Sequence, residues 1–258
     1  METSIVLSQG DLQIPCKITL PDSGDIRRVV LGVHGFGGCT QDAIQESLAE
    51  EMALFRSAVV RFDFPGHGEN PMPDTALTLK NCADTLLAAA SYAKTQFPQV
   101  EDLCIFATGF GAYVTLSVLN HLQALPGNLR LVVQTPSVLM HETLLSMIQM
   151  SRETLRAMDH TVLRAPRPLH ITYAFYKELE ENIVLSSHDM PMLILHGEAD
   201  SYIRMEHIHN FRRINEEAKL VFIPGATHQF LEEGAWDMVL DLTRDWFSFQ
   251  QVLLTDWE

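Results

Sequence analysis

Short runs rich in β-branched and aromatic residues alternate along this chain with helical patterns. That alternation restricts the fold more than any other feature. RRVVLGVHG (27–35), SAVVRFDF (57–64), EDLCIFAT (101–108), LRLVVQTP (129–136), MPMLILHG (190–197) and AKLVFIPG (218–225) are short and nearly all apolar. Strands covered on both faces read this way, because neither face can be polar. The opening SIVLSQGDLQIPCKITLP reads as a two-stranded hairpin. Between the runs lie helices. One near 41–55 carries Ile44, Leu48, Met52 and Phe55 at helical spacing, with Thr40 as its N-cap. One near 79–97 lines up Leu79, Ala83, Leu86, Ala90, Ala93 and Phe97, and FGAYVTLSVLNHL (110–122) is a third. A closing helix puts Trp236, Val239, Leu242, Trp246, Phe249 and Leu253 on one stripe. The pattern predicts an α/β fold: a mostly parallel central sheet with helices on both faces.

Residues 137–187 break the rhythm and are too long for an ordinary connection. VLMHETLLSMIQMSRETLRAMDHTV looks helical, and RAPRPLHITYAFYKELEEN looks irregular. This stretch is expected to be an inserted cap above the strand ends, with 1–136 and 188–258 forming the core.

Composition removes several function classes. The chain has 33 acidic and 18 basic residues, a formal charge of −15, which repels nucleic acid and anionic membranes. No apolar run approaches membrane-spanning length. METSIVLSQG has neither a basic n-region nor an apolar h-region, so no signal peptide is expected. Cys16, Cys39, Cys82 and Cys104 form no C-x-x-C pair, which points to a reducing compartment, the cytoplasm, and to no metal site. His207 and His209, two residues apart, fall on different helix faces and make a poor metal pair. No cofactor is expected.

Four segments carry the chemistry. VHGFGG (33–38) follows a strand, and such a turn can aim the Phe36 N–H at a developing oxyanion; a plain tight turn is the competing reading. ATGFGA (107–112) sits between a strand and a helix, as a nucleophile elbow does, with Ala107, Gly111 and Ala112 at the small positions. The apex, however, is Gly109. The Phe110 N–H, at the helix start, is the second oxyanion donor. Asp200 follows the strand MLILHG, where a carboxylate can orient an imidazole, although turn capping is the common role of Asp. His228 follows VFIPGAT, where a general base could reach the elbow. Elbow, acid and base come in this chain order after strands, on the side where α/β sheets bind ligands.

The segments HGFGG, RFDFPGHGEN, ATGFGA, LHGEAD and IPGATH together resemble the α/β-hydrolase superfamily. Within it the chain is most similar to bacterial feruloyl and cinnamoyl esterases and the related serine-aminopeptidase-like hydrolases. The resemblance implies Asp200 as triad acid, His228 as base, and Phe36 and Phe110 as oxyanion donors. It implies a serine at 109, from which this chain departs. It makes the DFPGHG loop structural, and His67 a turn residue rather than a base.

Glycine at the apex cannot form an acyl-enzyme. Thr108 points away from the apex, Cys39 lies past the oxyanion turn, and Cys104 is inside a strand. The expected activity is carboxylic ester hydrolysis on short or aromatic acyl esters, reduced to substrate binding or very weak turnover. Aminopeptidase or amidase chemistry and a natural non-catalytic binder are the alternatives. Intact acid, base and oxyanion turn favour replacement of a serine over long-standing loss. In the cap, Met140, Leu144, Met147, Tyr173 and Tyr176 could line a pocket, or could simply pack the cap onto the core. The partner expected is a small-molecule ester or amide.

Overall fold

A computed structural model describes residues 1–248. The predicted stripe positions Phe249 and Leu253 lie outside the described residues. The chain opens with the hairpin β1 (Glu2–Gln9) and β2 (Leu12–Thr19). Then come β3 (Arg28–Val33), α1 (Ala43–Leu54), β4 (Ser57–Phe62), α2 (Leu79–Gln96) and β5 (Asp102–Thr108). They lead to α3 (Phe110–Ser117), α4 (Leu119–Gln123) and β6 (Asn128–Gln134). The following segment holds α5 (Met140–Ile148), α6 (Arg152–Met158), the hairpin β7 (His160–Leu163) and β8 (Leu169–Thr172), and α7 (Tyr173–Glu181). The sheet resumes with β9 (Met192–Gly197), α8 (Met205–Ile214), β10 (Lys219–Ile223) and α9 (Ala235–Phe247).

The main sheet runs β1-β2-β4-β3-β5-β6-β9-β10, antiparallel through β1 and β2 and parallel from β4 onward. Alternate residues feed two apolar layers. Val29, Leu31, Val33, Leu103, Ile105 and Ala107 enter the layer under α2, α3 and α8. Val30, Cys104, Phe106 and Val132 enter the layer under α1 and α9. Because every central strand is buried on both faces, its sequence is nearly all apolar. From β3 the chain steps out to β4, then crosses back to β5 on the other side. The ends of β3 and β5 therefore flank the switch point of the sheet, where parallel α/β folds open a crevice. Among the described residues no helix is long and apolar enough to cross a membrane.

Three local expectations are corrected. Thr40 does not cap α1: its N–H donates to Asp63 Oδ1 and its carbonyl accepts from Arg61, so it is committed to the core. Asp42 holds the N-cap position, but its carboxylate turns back to accept from the Cys39 N–H. The helix over 110–122 is two helices, broken at Val118. Thr115 and Ser117 donate their hydroxyls to the Gly111 and Val114 carbonyls, which weakens the ladder just before the break. The stretch read as irregular contains β8 and α7, with Thr172 capping α7 by accepting from the Phe175 N–H.

Candidate active site

Gly109 lies between β5 and α3 with φ 51° and ψ −108°. An L side chain is strained at that φ, and glycine is not. The turn is held by Gly109 N–H donating to Gln134 O and by Gly109 O accepting from the Tyr113 and Ser137 N–H groups. A Cβ on Gly109 would meet one atom beyond its chain neighbours within 4 Å, Ser137 Oγ at 3.9 Å, among the described residues. The space beside the apex is thus open and bordered by a hydroxyl. Gly111 is different. A Cβ there would lie 2.5 Å from His34 O and 2.7 Å from Val33 O, so α3 presses directly on the end of β3. Thr108 Oγ1 donates to Gln134 Oε1, away from the apex.

Asp200 and His228 meet. Nδ1 of His228 is 2.8 Å from Asp200 Oδ2, so Nδ1–H donates and, in the neutral ring, Nε2 is left as an acceptor. Asp200 Oδ1 accepts from the Tyr202 and Ile203 N–H groups, and the carboxylate side chain has no exposed surface. Burial alone would raise this carboxyl. The His228 bond and the two backbone donors outweigh it and hold Asp200 below the usual carboxylate value.

The turn after β3 is built by a residue the sequence reading left without a role. His34 is buried, donates from Nδ1 to Gly35 O at 2.8 Å, and accepts at Nε2 from the Phe64 N–H at 3.1 Å. It ties the turn to the loop after β4. The Phe36 ring lies 5.2 Å from the Phe110 ring, edge to face, and stacks on Phe175 of α7. His67 is buried against Phe36 and Phe110, with Nδ1 at 3.0 Å from Pro65 O. Asp63 organises its loop by accepting from the Thr40 and Glu69 N–H groups. Arg167, between β7 and β8, donates to the carbonyls of His67, Gly68 and Asn70.

The five candidate pocket residues divide. Met140, Leu144 and Tyr176 are buried in the larger apolar layer, whereas Met147 and Tyr173 are half-buried. His207 faces Glu142 and His209 packs on Phe222, so the two histidines part. The signal missed altogether was Ser137. It follows β6 as Gly109, Asp200 and His228 follow their strands, but it reads as the first residue of the insertion.

The cysteines are free thiols. Burial pushes Cys16 and Cys104 up to about 12 and Cys39 up to about 11. A thiol reagent at pH 7.5 is therefore expected to modify Cys39 slowly and the other three only after unfolding. Rapid native labelling of Cys39 would contradict this and reopen it as a nucleophile.

Burial lowers His67 to about 3 and His196 to about 4, so both stay neutral in the fold. His34 and Arg167 face His67 and add to its lowering, while Pro65 O opposes it. At His196, Asp200 opposes the lowering and His228 and His209 add to it. The unfolded chain binds these protons near the ordinary histidine value of about 6.5. Their stability contribution is thus complete above that pH and is lost as pH falls toward the native values. At pH 5 the loss is on the order of 2 kcal/mol for each. Urea midpoints at pH 7 and pH 5 measure it, and His67→Gln is expected to narrow the gap.

The chain has the α/β-hydrolase fold. Its structure superposes on a protein from Agrobacterium vitis S4 with TM-score 0.80 at 18% identity, covering 96% of this chain and 98% of that one. Est1E from Butyrivibrio proteoclasticus, in a structure with ferulic acid bound, matches with TM-score 0.78 at 18% identity over 95% and 98% of the two chains. Mouse alpha/beta hydrolase domain-containing protein 10 matches with TM-score 0.74 at 14% identity over 94% and 97%. No protein-family model matches the chain, and no curated protein matches it in sequence.

Proposed function

We propose that this chain is a carboxylic ester hydrolase of the serine-hydrolase type, for short or aromatic acyl esters, in which Gly109 leaves substrate binding in place and removes most turnover. The observation that carries the reading is the 2.8 Å Asp200–His228 bond, in loops at the same end of the parallel sheet as a strand–turn–helix elbow. In this reading His228 is the base, Asp200 fixes its tautomer, and the Phe36 and Phe110 N–H groups receive the oxyanion. Neither N–H has an acceptor among the described residues. The binding of ferulic acid by Est1E, a structural neighbour, supports an aromatic acyl group. Residues 137–187 act as the cap and supply the substrate contacts. The protein works in the cytoplasm on a small molecule, needs no cofactor, and engages neither nucleic acid nor membrane.

The test is Gly109→Ser, assayed on short and aromatic nitrophenyl esters beside aminoacyl anilides. A gain on esters supports the reading. A gain confined to anilides makes the chain a peptidase or amidase. No gain in a folded protein leaves it a non-catalytic binder.

A further inference from the structure

The acid–base pair is assembled in the loops after β9 and β10, at the same end of the parallel sheet as an apex that has no side chain, which raises the question of what His228 serves. Beyond its two chain neighbours, Ser137 is the one residue among those described whose side chain comes within 4 Å of a Cβ built on Gly109, with Oγ at 3.9 Å. Its position is held at both ends of a short turn. Thr108 on β5 is level with Gln134 on β6, so Gly109 and Thr135 leave adjacent strands side by side. Thr135 has φ 42°, a conformation that β-branched residues avoid and that marks imposed strain. The Thr135 N–H donates to Leu195 O at 2.8 Å, and the Ser137 N–H donates to Gly109 O at 3.3 Å. The strained turn at Thr135 and the glycine turn at 109, on neighbouring strands, thus bring Ser137 against the empty apex. The residue is 3% exposed, and its hydroxyl has no hydrogen-bond partner among the described residues.

We propose that Ser137 supplies the nucleophile that the elbow lacks. This rests on the esterase reading of the site and replaces only the identity of the attacking atom. Ser137 Oγ attacks the ester carbonyl carbon while its proton passes to His228 Nε2. The carbon–oxygen bond to the alcohol then breaks, and His228 returns that proton to the departing alkoxide. Water, deprotonated by His228, cleaves the acyl–Ser137 bond and restores both residues. The open space beside Gly109 lets the acyl group settle deeper than over a filled apex, which brings the carbonyl toward Ser137. Ser137 Oγ lies 3.9 Å from that Cβ, well beyond where an apex hydroxyl would sit, so attack from it is slower by more than the order of 10²-fold that a misplacement of about 1 Å costs.

An aryl fluorophosphonate tests this without relying on turnover. The Ser137 Oγ–phosphorus bond forms, the phosphorus–fluorine bond breaks, fluoride leaves, and the proton goes through His228 to solvent. Peptide mass spectrometry is expected to find the adduct on Ser137. Labelling is expected to be about 10²–10³-fold slower than in Gly109→Ser, and absent from Ser137→Ala and His228→Gln. An adduct on Ser137 that survives His228→Gln is adventitious and overturns the proposal. So does an unlabelled native chain alongside a Gly109→Ser variant labelled at position 109; that outcome leaves the esterase reading intact. If neither protein is labelled, both the proposal and the esterase reading fall.

Discussion

Gly109→Ser is expected to raise ester hydrolysis by at least on the order of 10³-fold, since removing the serine of a triad costs that much or more in related enzymes. The structure removes the usual obstacles to such a gain. A Cβ at 109 finds open space, with Ser137 Oγ at 3.9 Å as its nearest contact beyond its neighbours. The His228 imidazole already has its tautomer fixed by Asp200. The cost lies in the backbone: an L residue at φ 51° stores about 1–3 kcal/mol of strain. The variant is therefore expected to gain activity and to melt about 3–10 °C lower. Thermal scans and nitrophenyl ester assays on one preparation check both. Activity unchanged with the fold preserved would remove the serine-hydrolase reading.

The second large effect is Gly111→Ala, which is expected to destabilise the chain by about 3 kcal/mol, the upper end of overpacking costs. The added methyl would sit 2.5 Å from His34 O and 2.7 Å from Val33 O, both backbone atoms in a central strand and its turn. No rotamer relieves a clash with a carbonyl. Either α3 moves off β3 or the turn bearing Phe36 shifts, so the same change is also expected to abolish the gain from Gly109→Ser in the double variant. A denaturant titration giving less than about 1 kcal/mol would mean that the close approach is soft.

The difference between Gly109 and Gly111 shows what a sequence discloses and what it hides. In the sequence one reads as the apex of an elbow and the other as one of its small flanking positions. Only the packed structure separates a glycine that nothing crowds from one that two carbonyls require. The central strands were legible because burial on both faces forces an apolar run. The link between Asp200 and His228 was legible because both follow such runs. The hairpin β7–β8 was not, because its strands have four residues each and its connection holds two prolines. The break at Val118 was hidden because it depends on which carbonyls the Thr115 and Ser117 hydroxyls choose. Ser137 was hidden for a topological reason. Its nearness to position 109 exists only because β5 and β6 are neighbours in register.

The grip of Arg167 on three carbonyls of the 67–70 loop divides the insertion unequally. The half containing β8 and α7 is fastened there, again where Glu178 accepts from the Leu79 N–H, and again where Tyr113 donates to Asn182 O. Helix α6 buries Leu155 alone. One wall over the strand ends is thus part of the foundation, and the other is closer to furniture. Substitutions have most freedom on the exposed face of α6, away from Arg152, which pairs with Glu180 of α7, and from Asp159, whose carbonyl accepts from the Tyr173 N–H. A lineage of such proteins could redraw that outer helix while the wall carried by α7 stayed where it is.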